Sequence, residues 1–162
     1  MKIVKGDLLQ LAREGNFEVI VQGSNCFNTM GGGIARQIKA EFPNAYAADC
    51  KTVAGDYNKL GNYTLSVETT DAGHPFTIIN AYTQYDFNKA NSMFGDCFEY
   101  NSFALILQKL FHFYPSSHFG FPLIGMGLAG GNEETIMEML QEFSNTVEAH
   151  GGSVTIVEFN KP

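Results

Sequence analysis

Ser24–Pro43 reads SNCFNTMGGGIARQIKAEFP, with three glycines in a row between a polar loop and an amphipathic run. Glycine is costly to order, so a triplet at the mouth of a helix implies that something must approach the backbone closely. The residues just before it, Glu18–Gln22 (EVIVQ), form an apolar run of the buried-strand type. Gly23 to Met30 then read as a loop, and Gly31, Gly32 and Gly33 open a helix. That helix carries Ile34 and Ile38 four apart and stops before Pro43. The order strand, loop, helix gathers free N–H groups and the positive end of a helix dipole at one point, which is a ready site for an anion such as phosphate.

The rest of the chain repeats this alternation. Strands are expected at Ile3-Val4, Tyr63–Glu68, Phe76–Ala81, Gly120–Ile124 and Val154–Phe159. A second helix is expected from about Asp96 to His112, with Phe103, Leu107, Leu110 and Phe111 on one side. A third places Ile136, Leu140, Phe143 and Val147 on a single stripe, with Gly151 just past its end. No linker or repeat interrupts the pattern. The expectation is one domain over residues 1–162, a three-layer α/β fold with a mixed, mostly parallel central sheet.

A second glycine loop, FPLIGMGLAGG at Phe121–Gly131, again leads from a strand into a helix. Gly125 to Gly130 fits the spacing of the dinucleotide fingerprint, but a full dinucleotide fold needs a further series of strands and helices. Only one helix and one strand remain, so a dinucleotide oxidoreductase is set aside. Two glycine loops facing each other across a crevice suit a diphosphate instead.

Composition narrows the partners. The net charge is −7 and no cluster of Lys or Arg breaks the acidic background. Binding to a nucleic acid backbone by counterion release is therefore not expected. Three cysteines (Cys26, Cys50 and Cys97) form an odd count without zinc-like spacing, which points to a reducing compartment, and His74, His112, His118 and His150 are scattered. No metal or cofactor is implied. No run has the length of a signal peptide core or a membrane span, so a cytoplasmic location is expected, and a monomer is the default.

Three motifs in this order resemble the macro domain, a binder of ADP-ribose. VKGDLL at Val4–Leu9 is similar to that family's first-strand motif, SNCFNTMGGGIA to its loop around the distal ribose, and IGMGLAGG to its second phosphate-binding loop. Within the family, the pattern is most similar to the yeast-type phosphatase of ADP-ribose 1''-phosphate and to the enzymes that remove ADP-ribose from glutamate. The resemblance implies that Asp7 accepts from the adenine amino group, beside the Leu8 backbone. Asn25 would bond a distal ribose hydroxyl, with Gly31, Gly32, Gly33 and Ile34 lining that ribose and one phosphate. Gly125, Met126, Gly127 and Leu128 would wrap the diphosphate, and Phe159 would flank adenine. Without the resemblance, Asp7 is equally a helix cap, Asn25 a turn residue and Phe159 a core phenylalanine.

Departures from the family bear on activity. The glutamate-ester branch uses a lysine after the mid-sheet strand and an aspartate in the second glycine loop. Here those stretches read NAYTQYDF and GLAGG, with Ala129 at the aspartate's place. The phosphatase branch carries a histidine where this chain has Gln22, which can hydrogen-bond a water or phosphate but cannot act as a base near neutral pH. The catalytic candidates are Asn25, Asp86 and Gln22, with Gln84 and Asn80 nearby. Three functions follow: hydrolysis of ADP-ribose 1''-phosphate, ADP-ribose reading without chemistry, and removal of ADP-ribose from a modified protein or nucleic acid.

Overall fold

The computed structural model describes residues 1–86, 97–127 and 129–159. Among these residues the alternation becomes six strands and five α-helices: β1 (Lys2–Gly6), α1 (Leu8–Arg13), β2 (Val19–Ser24), α2 (Gly33–Glu41), α3 (Pro43–Cys50), β3 (Tyr63–Thr69), β4 (Pro75–Tyr82), α4 (Tyr100–Phe113), β5 (His118–Phe121), α5 (Glu133–Glu148) and β6 (Ser153–Phe159). A 3₁₀ turn at Tyr57–Lys59 precedes β3. The sheet order is β1-β6-β5-β2-β4-β3. All neighbours pair in parallel except β3 and β4, whose antiparallel register sets Leu65 opposite Ile79.

Alternation along each strand divides the interior in two, because successive side chains point to opposite faces. Ile20, Phe76, Ile78 and Val157 pack with Leu8, Leu9, Ile38 and Ala45 of α1, α2 and α3. Val19, Val21, Ile79, Phe119, Phe121 and Ile156 pack with Phe103, Ile106 and Leu110 of α4 and Ile136, Leu140, Phe143 and Val147 of α5. Each fully buried side chain of this size contributes about 1.5–3 kcal/mol over its exposed state, so neither half is dispensable. No described helix is long and apolar enough to cross a membrane.

Two expectations change at element ends. The strand read as Gly120–Ile124 ends at Phe121, because Pro122 has no N–H to give the ladder of a central strand. The second long helix begins, within the described residues, at Tyr100; the expected start at Asp96 lies outside them, as does the expected contact of Leu128. Two short helices, α1 and α3, join the three read from the sequence. Asp7 caps α1, its Oδ1 accepting from the Leu9 and Gln10 amides at 3.0 and 3.2 Å. Pro43 starts α3, where its missing N–H would have had no helical partner.

Candidate functional site

β2 and β5 are adjacent parallel strands at the centre of the sheet. The helix after β2 packs on one face and the helix after β5 on the other. Loops that leave neighbouring strands for opposite faces leave a crevice at the strands' carboxyl ends, where open α/β sheets place ligands. The two glycine loops are those loops. Between them lies a cleft of about 680 Å³, lined on one side by Ser24, Asn25 and Thr29–Ala35 and on the other by Pro122–Gly125, Gly127 and Ala129. Gly23, Gln84 and Asp49 complete the wall. Sites for small molecules span about 300–1,000 Å³, so the size suits a nucleotide-like ligand.

The glycines of the two loops do different work. Gly33 adopts φ +57°, a conformation L side chains rarely take. At Gly32 and Gly33, as at Gly127, a Cβ would meet no atom within 4 Å. Their bare backbone therefore faces the cleft rather than a packed neighbour. At Gly125 a Cβ would come within 2.5 Å of the Phe98 ring, so this glycine also serves the packing of its loop.

The first loop is held in a conformation that two of its residues would not choose alone. Asn28 and Met30 have φ of +59° and +40°, and such non-glycine outliers persist only where the surroundings over-determine them. Asn28 gives its Nδ2 to the Thr52 carbonyl at 3.0 Å and takes the Lys59 ammonium on Oδ1 at 2.6 Å. Met30 is buried in the α1–α3 core. The Lys59 ammonium also donates to the Cys26 carbonyl at 3.0 Å, so one buried cation fixes the loop at two points.

The residues expected to act on the ligand fall into two groups. Asn25, Gly31, Gly32, Gly33, Ile34, Gly125 and Gly127 line the cleft. Asn25 is engaged by its own loop, donating from Nδ2 to Thr29 Oγ1 at 2.7 Å and accepting the Phe27 amide at 2.8 Å. Asp7, Leu8, Met126 and Phe159 lie off this wall. Leu8 is buried in the core, whereas Phe159 is half exposed and pairs with Gly6, beside Asp7, at the carboxyl ends of β6 and β1. Gln22 is placed away from the cleft. It is buried beneath α3, donating to Asn80 Oδ1 at 2.8 Å, while Asn80 donates to the Ala45 carbonyl. Asp86 is not on the wall either, but its carbonyl accepts from Gln84 Nε2 at 3.2 Å, and Gln84 is.

Asp49 is the wall residue that sequence reading missed. Of the described residues that line the cleft, it alone is ionisable. It is 1% exposed, and its Oδ1 accepts from the Tyr82 hydroxyl at 2.7 Å. Burial pushes its carboxyl above the usual aspartate range, while the Tyr82 hydrogen bond and the Lys59 charge pull it back. Cys26 is also buried and its thiol is pushed up to about 11, which removes it as a thiolate nucleophile near neutral pH. No Lys or Arg side chain is among the described lining residues. An anion in the cleft would be held by backbone amides.

No protein-family model matches the chain. An uncharacterized 17.5 kDa protein from the tk–vs intergenic region of Enterobacteria phage T4 is 34% identical over 155 residues, spanning 91% of this chain and 92% of the relative. The chain belongs to the family of that phage protein. Among solved structures, the macrodomain of Mycobacterium tuberculosis DarG superposes with a TM-score of 0.67 at 23% identity, covering 99% of this chain and 98% of that one. Thermosipho africanus DarTG, solved in complex with ADP-ribose, superposes with a TM-score of 0.73 at 17% identity, covering 96% of this chain and 40% of that one. This chain therefore has the macrodomain fold, as the three motifs implied.

Proposed function

We propose that the cleft binds the ADP-ribose group and that the protein hydrolyses an ADP-ribose derivative at the distal ribose, with ADP-ribose 1''-phosphate, the substrate of the yeast-type branch, as the first choice. The observation that carries the binding is the pair of loops from β2 and β5 with Gly32, Gly33 and Gly127 open toward the space between them. Backbone amides there, near the start of α2, suit a diphosphate in a protein of net charge −7. A structural neighbour solved with ADP-ribose supports the same ligand. Asp7 and Phe159, side by side at the far strand ends, would take the adenine. Asn25 and the loop carrying Gln84 and Asp86 would orient the attacking water, while the glycine-loop amides stabilise developing charge. Gln22, buried beneath α3, has no part in this step. The same reading takes the protein to act as a monomer in the cytoplasm.

A second reading, a binder without chemistry, is favoured by the wall itself, which holds no described Lys or His. Calorimetric titration of ADP-ribose and phosphate release from ADP-ribose 1''-phosphate, on one sample, separate the two. Binding with release above the uncatalysed background is the expected result. Binding without release selects the non-catalytic binder or a hydrolase of another ADP-ribose linkage, and no binding overturns both.

A further inference from the structure

A buried carboxylate is costly unless its oxygens are hydrogen-bonded or a cation neutralises it. Asp49 has part of this. Tyr82 serves Oδ1 at 2.7 Å, and the charge of Lys59, whose ammonium lies 4.9 Å from the centre of the Tyr82 ring, acts on it from behind. Tyr82 is the one hydrogen-bond donor to this carboxylate among the described residues. A carboxylate can accept about four hydrogen bonds, so this one, in a residue that lines the cleft, has capacity left for a ligand.

An unserved atom stands on the same wall. Ser24 is 6% exposed, lines the cleft, and its Oγ has no hydrogen-bond partner among the described residues. Its strand register places it opposite Tyr82, the residue that holds Asp49. Most buried polar atoms in folded proteins are satisfied, and an orphaned hydroxyl on the same wall as a carboxylate with one hydrogen bond calls for an outside partner. An acceptor and a hydroxyl, on a wall whose other polar side chains are Asn25, Thr29 and Gln84, match a sugar's hydroxyls. They do not match a phosphate, which the carboxylate would repel.

We infer that Asp49 reads the distal pentose of the ligand, its Oδ2 accepting a hydrogen bond from a pentose hydroxyl, with Ser24 as the neighbouring hydroxyl contact. This rests on the ADP-ribose reading above. Asp49 makes the cleft selective for an ADP carrying a second pentose over ADP alone. Lys59 and Tyr82 act through it, one by charge and one by direct hydrogen bond. Lys59 ties that support to the loop of Asn25 through the Cys26 carbonyl and Asn28.

The test titrates ADP-ribose and ADP separately into the wild-type protein, Asp49→Ala and Asp49→Asn, with thermal melts to confirm folding. Hydrogen bonds to charged groups contribute about 1.5–3 kcal/mol, so Asp49→Ala should weaken ADP-ribose about 10- to 100-fold while ADP changes less than about 2-fold. Asp49→Asn keeps an acceptor for Tyr82 and should show a smaller loss with the same selectivity. It decides the matter where the alanine variant does not fold. Equal losses on both ligands, or no loss in a folded variant, would reduce Asp49 to an anchor of α3 and overturn the inference. A wild-type protein that binds both ligands equally would overturn it too. One that binds neither would remove the ADP-ribose reading itself, a result distinct from the others.

Discussion

Gly32 has extended backbone, φ −141° and ψ 157°, which any residue can adopt. With no neighbour within 4 Å of its Cβ position, a side chain there has the cleft as its space. Gly32→Glu should therefore fold normally and lose several kcal/mol of ADP-ribose affinity by clash and by like charge. Calorimetry beside a thermal melt checks both halves, and unimpaired binding would show that the triplet serves the turn alone. Asp7 poses the opposite question, because its visible task is local. Asp7→Ala removes the cap of α1 and should cost about 1 kcal/mol of stability in urea denaturation. If Asp7 also accepts from adenine, ADP affinity falls by about 1–3 kcal/mol as well; a stability loss with intact binding would assign it to the cap. These glycines were legible in the sequence because a triplet has few uses. Asp49 was not: in PNAYAADC it reads as a polar residue of a short helix, and only the packing of α3 over β4 turns it toward Tyr82 and the cleft.

Among the elements, the two glycine loops look alike in sequence and differ in what they require. Gly125 has φ +74° and the Phe98 ring 2.5 Å from where a Cβ would stand. Gly125→Ala should therefore cost about 1–3 kcal/mol from overpacking, plus the strain of a left-handed alanine. Gly127→Ala, with open space around it, should leave stability unchanged in the same urea titration. Equal effects would mean that the loop repacks freely around Phe98. The long helices were readable because a stripe such as Ile136, Leu140, Phe143 and Val147 repeats over about three turns. The six residues of α1 and eight of α3 are too short for periodicity to declare them. Their cap and their proline are the signals that a closer reading could have used. The order of strands was not legible either. It follows from which faces the helices cover, and that order brings Ser24 opposite Tyr82 and one loop opposite the other.

For the molecule as a whole, the charge balance makes an unusual demand on an anion-binding cleft. The chain carries −7, the described lining offers no cationic side chain, and its one ionisable group is an acid. A dianionic ligand therefore approaches against the field of the protein and is held by the short-range dipoles of amides and a helix end. Salt screens the long-range repulsion and leaves the close contacts nearly untouched. Between about 0.01 and 0.15 M ionic strength the screening length falls from about 30 to about 8 Å, so ADP-ribose affinity should hold steady or rise across that range. Calorimetric titrations at a series of salt concentrations measure this directly. A site built on lysine or arginine would show the reverse, a steep loss of affinity with salt. A loss of that kind here would mean that a cation such as Arg36, exposed on α2 beside the glycine triplet, swings over the phosphates and that the amide cradle is not sufficient.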